Sequence, residues 1–341
     1  MLRAQLERLM ARKDLKGEEM AGAMEALMEG RVPEAQVAAF LTGLRAKGET
    51  VEEIVAAATV MRDKAQAVAV PSQPLLDVVG TGGDGTGTFN ISTLSALVAA
   101  AGGVAVAKHG NRSVSSRCGS ADVLEALGCP LLGEASAVEE AVASVGFGFL
   151  FAPHFHRAMK NVAPIRKALG IRTIFNLLGP LTNPARPDRM VLGVFSPGLV
   201  RPMAETLHRM GVAKALVVCG ADGADELTLG GANRVCLLDG GRLVERDLLP
   251  EEAGLPRRPL AVARGGDAEV NAALALELLE GRGGEARDFL LLNAGAALFV
   301  ADRAPSLREG AVLAADIIDD GRARAKLDQV RAFSMAGEGV A

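Results

Sequence analysis

Apolar residues near the start of the chain recur at the spacing of an amphipathic helix. Met20, Met24, Leu27 and Met28 share one face, and Gly30 follows as a C-terminal stop. This stripe predicts core or a helix–helix contact. The same apolar face could also form a dimer interface.

Two more helices are predicted before residue 68. The first begins at Pro33. Its apolar face comprises Val37, Phe40, Leu41 and Leu44. Thr50 and Glu53 fit a capping box at the start of the second helix, which runs to about Lys64. Because no strand pattern interrupts this region, residues 1–69 are predicted to form a small helical domain.

The pattern changes after VPSQP (70–74), which is typical of a linker. Short β-branched or apolar runs now alternate with helical segments. The runs are LLDVV, VAVA (104–107), GFGFLF (146–151), MVLGVFS (190–196), ALVVCG (215–220) and VCLLD (235–239). Such alternation predicts an α/β domain with a mostly parallel central sheet, here over residues 74–163 and 188–336. Residues 164–187 interrupt the alternation, so we expect them to pack onto the N-terminal helices.

Composition and charge narrow the possible functions. The 341 residues are 49% hydrophobic and 23% charged, as in soluble globular proteins, and the net charge of −4 argues against a general nucleic-acid binder. The four cysteines show neither zinc spacing nor a disulfide framework, which suggests a reducing cytoplasm. The charged N-terminus is no secretory signal, and no apolar run reaches the roughly 18–20 residues of a membrane span. We therefore expect a cytoplasmic protein.

A glycine-rich loop, GTGGDGTGTFNIST (80–93), lies between a predicted strand and a predicted helix. Its start fits the dinucleotide motif G-x-G-x-x-G, but the helix begins too late, and the next strand ends in Lys108 where that motif needs an acid. The Walker phosphate motif is absent as well. Clustered glycines let backbone approach a ligand, and Asn90, Ser92 and Thr93 bring polar groups to the helix start. The loop therefore predicts an anion site.

A second loop, KHGNRSVSSRCGSADVLEALG (108–128), follows the next predicted strand. Ligands of open α/β sheets bind at the carboxyl ends of strands, so this loop should lie beside the first. Its cations and serines suit a multiply charged phosphate compound. They are Lys108, His109, Arg112, Arg117, Ser113, Ser115, Ser116 and Ser120. His109 could instead be a hydrogen-bonding strut, because no nucleophile–base set accompanies it.

Acidic residues follow a third predicted strand. Asp222, Asp225 and Glu226 in CGADGADEL could gather at the same edge of the sheet, where carboxylates bind Mg²⁺ together with substrate phosphate. A solvated acidic turn is the alternative. Arg166 could bind a carboxylate in two-point fashion, but spacing alone does not separate it from Lys167 or Arg172.

Four stretches in this order, GTGGDGTGTFNIST, KHGNRSVSSRCGSADVLEALG, IRTIFNLLGPLTNPA and DGADEL, resemble the anthranilate phosphoribosyltransferase family. The resemblance covers essentially the whole chain. It implies a nucleoside phosphorylase-like fold of a small helical domain and a larger α/β domain, and a homodimer packed through the helical domains. It also implies transfer of the phosphoribosyl group of phosphoribosyl pyrophosphate (PRPP) to the amine of anthranilate in tryptophan biosynthesis, with no covalent nucleophile.

The resemblance further implies a set of site residues. PRPP would be held by Gly80, Gly83, Asp84, Thr88, Asn90, Ile91, Ser92, Thr93, Lys108, His109, Gly110, Asn111, Arg112, Ser113, Val114, Ser115, Ser116 and Ser120. Anthranilate would contact Gly80, Asn111 and Arg166. Two Mg²⁺ ions are implied, one on Ser92 and Glu226 and one on Asp225 and Glu226.

Two other functions remain open at this point. A pyrimidine nucleoside phosphorylase has the same architecture, but it should lack the long glycine loop and the acidic pair. A non-catalytic relative that binds nucleic acid would favour a basic surface and eroded motifs, whereas this chain has a net charge of −4 and intact motifs.

Overall fold

The computed structural model of the protein describes residues 2–71, 74–113 and 117–338. The interior of the linker and the predicted PRPP ligands Val114, Ser115 and Ser116 lie outside these ranges.

The chain begins with four helices. They are α1 (Arg3–Met10), α2 (Gly17–Met28), α3 (Glu34–Lys47) and α4 (Val51–Asp63). The methionine stripe of α2 is buried in the core of this bundle. The capping box of α4 is confirmed: Thr50 N–H donates to Glu53 Oε2 at 2.8 Å, and Glu53 N–H donates to Thr50 Oγ1 at 3.2 Å.

A seven-stranded sheet forms the centre of the larger part, in the order β3-β2-β1-β4-β5-β6-β7. Its strands are β1 (Leu75–Gly80), β2 (Ala105–Gly110), β3 (Phe147–Phe151), β4 (Arg189–Gly193), β5 (Lys214–Cys219), β6 (Asn233–Asp239) and β7 (Arg242–Leu248). Strands β1–β5 are parallel, and β6 and β7 are added antiparallel. The predicted helical domain with a mostly parallel α/β sheet is therefore confirmed.

Strand β7 was absent from the predicted elements. It forms a hairpin with β6 through Gly240 and Gly241, which have φ of 54° and 85°. Two glycines between apolar runs are a hairpin signal, but the many charges of RLVERDL hid the strand pattern. A charged edge strand is also what protects a sheet from pairing with another chain.

The remaining helices cover both faces of the sheet. They are α5 (Ile91–Ala101), α6 (Ser120–Ala126), α7 (Ala135–Val145), α8 (Ala152–Phe155), α9 (Ala163–Leu169), α10 (Phe175–Leu178), α11 (Val200–Arg209), α12 (Ala268–Leu279), α13 (Ala286–Val300), α14 (Leu307–Asp319) and α15 (Arg322–Glu338). Helix α5 is buried against α13 and α15, which fixes its N-terminus at the carboxyl edge of the sheet. Among the described residues, no helix combines the length and the apolar character needed to cross a membrane.

Residues 164–187 lie against the N-terminal helices. Helix α9 contacts α3, α10 contacts α4, and Arg62 Nε donates to the Leu181 carbonyl at 2.8 Å. The apolar residues of this segment share one core with the bundle and with one face of β4 and β5. The segment therefore joins the helical bundle to the sheet beside the candidate site.

Candidate active site

Three glycines at the carboxyl ends of parallel strands make room for one loop. A Cβ atom on Gly80 (β1) would lie 2.2 Å from Asp225 Oδ2, and one on Gly193 (β4) would lie 1.5 Å from the Asp225 carbonyl oxygen. A Cβ on Gly220, which follows β5, would lie 2.6 Å from the Glu226 carbonyl oxygen. Any larger residue at these positions would displace the acidic loop, so the glycines fix where its carboxylates stand.

The acidic loop and the glycine loop are hydrogen-bonded to each other. Gly82 N–H donates to Asp225 Oδ2 at 2.6 Å, and Asp225 N–H donates to Asp84 Oδ2 at 3.3 Å. Thr88 Oγ1 donates to Glu226 Oε1. Asp222 is exposed and packs against Gly230 instead. Of the three acids considered in the sequence, Asp225 and Glu226 therefore meet the glycine loop.

This arrangement concentrates negative charge. Burial, and then the charge of Asp84, raises the pKa of Asp225 to about 6. Burial and the charge of Asp225 hold the pKa of Glu226 well above its usual value. Burial lowers the pKa of Lys108 to about 8, although these carboxylates favour its charged form. One buried lysine therefore faces an excess of carboxylates.

Mg²⁺ fits this donor set. Within the described residues, no three His, Cys, Asp or Glu side chains converge as a ready-made cage. Mg²⁺ typically uses one or two carboxylates and completes its shell with water and substrate phosphate, so a pair of crowded carboxylates is sufficient. Ser92 Oγ lies near Lys108, the lysine that faces the two carboxylates, and accepts a hydrogen bond from its Nζ at 3.3 Å.

Side-chain hydrogen bonds hold the N-terminus of α5 in place. Asn90 Nδ2 donates to the Cys118 carbonyl at 3.2 Å, and Asn271 Nδ2 donates to Asn90 Oδ1 at 2.9 Å. Ile91 and Thr93 are buried, so their side chains belong to the core. Their backbone N–H groups are also engaged: Ile91 N–H donates to the Phe89 carbonyl at 2.6 Å, and Thr93 N–H donates to the Asn90 carbonyl at 3.1 Å. Both residues therefore shape the helix N-terminus and do not present free donors at it.

The second loop closes against α6. Ser120 Oγ donates to the Asn111 carbonyl at 3.2 Å, and a Cβ on Gly110 would lie 2.2 Å from Ser120 Oγ. Asp122 Oδ2 accepts from Ser113 N–H at 3.0 Å. Arg112 is ion-paired to Asp122 at 3.0 Å and to Glu125. Its guanidinium is thus satisfied by carboxylates of α6 in this structure.

His109 lies below the loop and not on its surface. Its ring is buried, with its centroid 5.1 Å from that of His156. Burial is the main cause that lowers the pKa of His109 to about 3 and that of His156 to about 4, so both rings are neutral at pH 7. The strut interpretation of His109 describes its surroundings better than a cationic phosphate ligand does.

The sequence interpretation missed the buried support beneath this loop. Asp77 Oδ1 accepts from His109 N–H at 3.2 Å, and Asn183 Nδ2 donates to Asp77 Oδ2 at 2.9 Å and to the Ala107 carbonyl at 2.8 Å. Lys108 Nζ donates to the Val78 carbonyl at 2.6 Å. An acid inside the apolar run LLDVV was the signal, because a buried carboxylate needs partners.

The structure separates Arg166 from Arg172. Arg166 is half-buried on α9, with its guanidinium 5.1 Å from the centroid of the Phe175 ring, and burial lowers its pKa. Arg172 donates to the Gly83 carbonyl, and its guanidinium lies 4.1 Å from the Phe195 ring centroid. Arg172, which had no place among the predicted site residues, is therefore a direct contact of the glycine loop.

The raised pKa of Asp225 predicts that the site lowers the stability of the folded protein in a pH-dependent way. Because the folded protein holds a proton on Asp225 up to about pH 6 and the unfolded chain only to about 4, stability is lost as pH rises between these values. D225N cannot ionise and keeps an oxygen for Gly82 N–H. In the presence of a metal chelator, D225N should raise the free energy of unfolding by about 1–3 kcal/mol at pH 8 and by almost nothing at pH 4.

Urea unfolding followed by circular dichroism at both pH values measures this difference. D222N removes a carboxylate at an exposed position of the same loop and is the matched control. An equal effect of D225N at pH 4 and pH 8 would contradict the assigned pKa.

Comparison with known proteins agrees with this geometry. The sequence matches the helical bundle domain of the glycosyl transferase family over residues 4–65 and the a/b domain of that family over residues 72–324. It is 47% identical to the anthranilate phosphoribosyltransferase of Petrotoga mobilis over 329 residues, 96% of each chain.

Solved structures are similar along the whole chain. Anthranilate phosphoribosyltransferase from Thermus thermophilus superposes with a TM-score of 0.92 at 52% identity, covering 97% of this chain and 99% of that one. The Saccharomyces cerevisiae enzyme in complex with PRPP and Mg gives a TM-score of 0.89 at 29% identity, covering 98% of both chains. The chain belongs to the anthranilate phosphoribosyltransferase family, within the glycosyl transferase family whose helical and a/b domains it contains.

Proposed function

We infer that the protein transfers the phosphoribosyl group of PRPP to the amine of anthranilate, giving N-(5′-phosphoribosyl)anthranilate and pyrophosphate, in tryptophan biosynthesis. Family membership supplies the activity. The observation that carries it in this chain is the Asp225–Glu226 pair, bonded to the glycine loop at the carboxyl edge of the sheet. The protein is a Mg²⁺-dependent pentosyltransferase.

For the metal we propose two Mg²⁺ ions per active site, one on Ser92 and Glu226 and one on Asp225 and Glu226. The crowded carboxylates support this assignment: burial, and then the repulsion between them, raises their pKa values, and dications would offset that repulsion. The yeast relative has been solved with PRPP and Mg. Bound Mg²⁺ would neutralise charge that develops on the leaving pyrophosphate.

For PRPP we propose the full set implied by the motifs, in which the buried His109 supports the loop from below and the remaining residues divide into backbone and side-chain contacts. Glycine-loop backbone N–H groups and the positive end of the α5 dipole would face the phosphate oxygens. Lys108 supplies a buried charge from below. Arg112 would exchange its exposed α6 carboxylates for phosphate, which is a modest loss because exposed ion pairs contribute little.

For anthranilate we propose Gly80, Asn111 and Arg166. Arg166 is supported by its place on α9, half-buried over Phe175, where a planar guanidinium can bind a carboxylate by two hydrogen bonds. Two domains are predicted, residues 1–69 with 164–187 and residues 74–163 with 188–336. Arg166, proposed to bind anthranilate, would then lie on a different domain from the loops proposed to bind PRPP.

The chemistry needs positioning more than acid–base work. The neutral aromatic amine attacks the ribose C1 while the bond from C1 to the pyrophosphate oxygen breaks, and the amine then releases a proton. The chain's contribution is to align amine and C1 and to stabilise the leaving group with fixed cations and N–H groups. No covalent nucleophile is required.

We also propose a cytoplasmic homodimer. None of the four cysteines, all of which lie among the described residues, forms a disulfide, which suits a reducing compartment. The family resemblance implies a dimer packed through the helical domains, where Met10 of α1 has a 65% exposed apolar side chain.

The assay for the function follows anthranilate fluorescence. With PRPP and Mg²⁺, the purified protein should consume anthranilate, and chelator should stop the reaction. The same preparation should not cleave thymidine with phosphate. Thymidine cleavage without anthranilate consumption would instead identify a nucleoside phosphorylase.

R166A tests the acceptor site. Loss of a charge-assisted contact should raise the KM for anthranilate about 10- to 100-fold, with a smaller change in the KM for PRPP. K167A, at the exposed neighbouring position on α9, is the control and should leave both constants near wild type. A larger effect on the PRPP constant would move Arg166 away from the acceptor.

A further inference from the structure

We propose that Arg172 is a positioning residue that holds the glycine loop in its PRPP-binding conformation from the side of α9. The proposal rests on the function inferred above and adds a residue that the motifs do not assign. Its basis is a pair of contacts made by one guanidinium.

The first contact is with the loop itself. Arg172 Nη2 donates to the Gly83 carbonyl, and a Cβ on Gly83 would lie 3.8 Å from Arg172 Nε. The second contact is with Phe195, whose ring centroid is 4.1 Å from the guanidinium carbon. Stacking on an aromatic ring fixes the direction in which the guanidinium N–H groups point. An exposed arginine without such a ring has no fixed donor direction.

The glycine loop needs such a restraint. Its glycines at 82, 83, 85 and 87 all have positive φ, between 67° and 75°. Glycine at these positions permits the shape but costs conformational entropy when the loop is ordered. Each tie that orders the loop before PRPP arrives removes part of that cost from binding.

The loop's other hydrogen bonds connect it to the sheet, to the segment before α12 and to the acidic loop. Thr81 N–H donates to the Gly193 carbonyl at 3.0 Å, and Phe89 N–H donates to the Ala263 carbonyl at 2.9 Å. Gly82 N–H donates to Asp225. Arg172 adds a tie from the segment that carries Arg166, six residues earlier.

The position of Arg172 is itself fixed on both sides. Gly170, with φ of 62°, ends α9, and Thr173 N–H donates to Asn176 Oδ1 at 3.0 Å. Phe195 follows β4, two residues after Gly193, and Gly193 is the glycine against which the Asp225 carbonyl packs. Arg172 therefore connects α9, the strand end that supports Asp225, and the loop at Gly83.

The test measures PRPP binding directly, without turnover. Calorimetric titration of the full-length protein with PRPP and Mg²⁺, in the absence of anthranilate, should give a Kd about tenfold higher for R172A than for wild type. F195L should weaken binding in the same direction, because the guanidinium loses its platform. R172A/F195L should bind PRPP no more weakly than R172A alone, since both changes remove the same stacked guanidinium.

The kinetic signature separates positioning from chemistry. In R172A the KM for PRPP should rise about tenfold while kcat changes less than about threefold. R172K keeps the charge but not the flat stacking, so it should stay closer to R172A than to wild type. R201A, an exposed arginine paired with Glu205 on its own helix α11, is the control and should match wild type.

The outcomes are distinct. Wild-type affinity in folded R172A or R172K would overturn the proposal, as would additive losses in the double variant or an equal loss in R201A. Should R172A fail to fold, F195L and R172K decide by the same criteria. A wild-type protein that neither binds PRPP nor consumes anthranilate would instead refute the proposed function.

Discussion

The active site depends on the close approach of the Asp225 backbone to the ends of two adjacent strands. Gly80 and Gly193 are partners in the parallel register of β1 and β4, and a side chain on either would occupy the space of Asp225. This steric condition brings the Asp225–Glu226 pair against the glycine loop. The loop hydrogen bonds to Asp225 and Glu226 then follow from that placement.

The same close approach lowers the stability of the folded protein when no ligand is bound, because it crowds carboxylates together. Asp84, Asp225 and Glu226 crowd together, and burial raises the pKa of the latter two. In the proposed function the site binds a dication and a polyanion, and its charges stay unpaired in their absence, so part of the stability is given up for function. The buried Lys108 and the Asp77–Asn183 support below it limit that loss without neutralising the pair.

Much of this organisation could be predicted from the sequence. The helical spacing of Met20 to Met28, the apolar runs of β1–β6 and the long motifs carried local signals, and the family resemblance gave the function. Other features depended on tertiary contact. Nothing near Arg172 in the sequence indicates that it meets Gly83, and nothing near His109 shows that its ring turns into the core. Strand β7 was hidden because its charges mask a short alternation.

The most direct measurement of the central constraint is Mg²⁺-dependent PRPP binding to G193A. The added methyl must push the Asp225 backbone off the strand end and displace its carboxylate. Because a contact to a charged group contributes about 1.5–3 kcal/mol, we expect calorimetry to show PRPP affinity reduced about 10- to 100-fold, with the circular dichroism spectrum of the folded protein retained. G198A, at an exposed turn with no atom near its added Cβ, should bind as wild type does. An unchanged PRPP affinity in G193A would contradict the dependence of the site on this strand end.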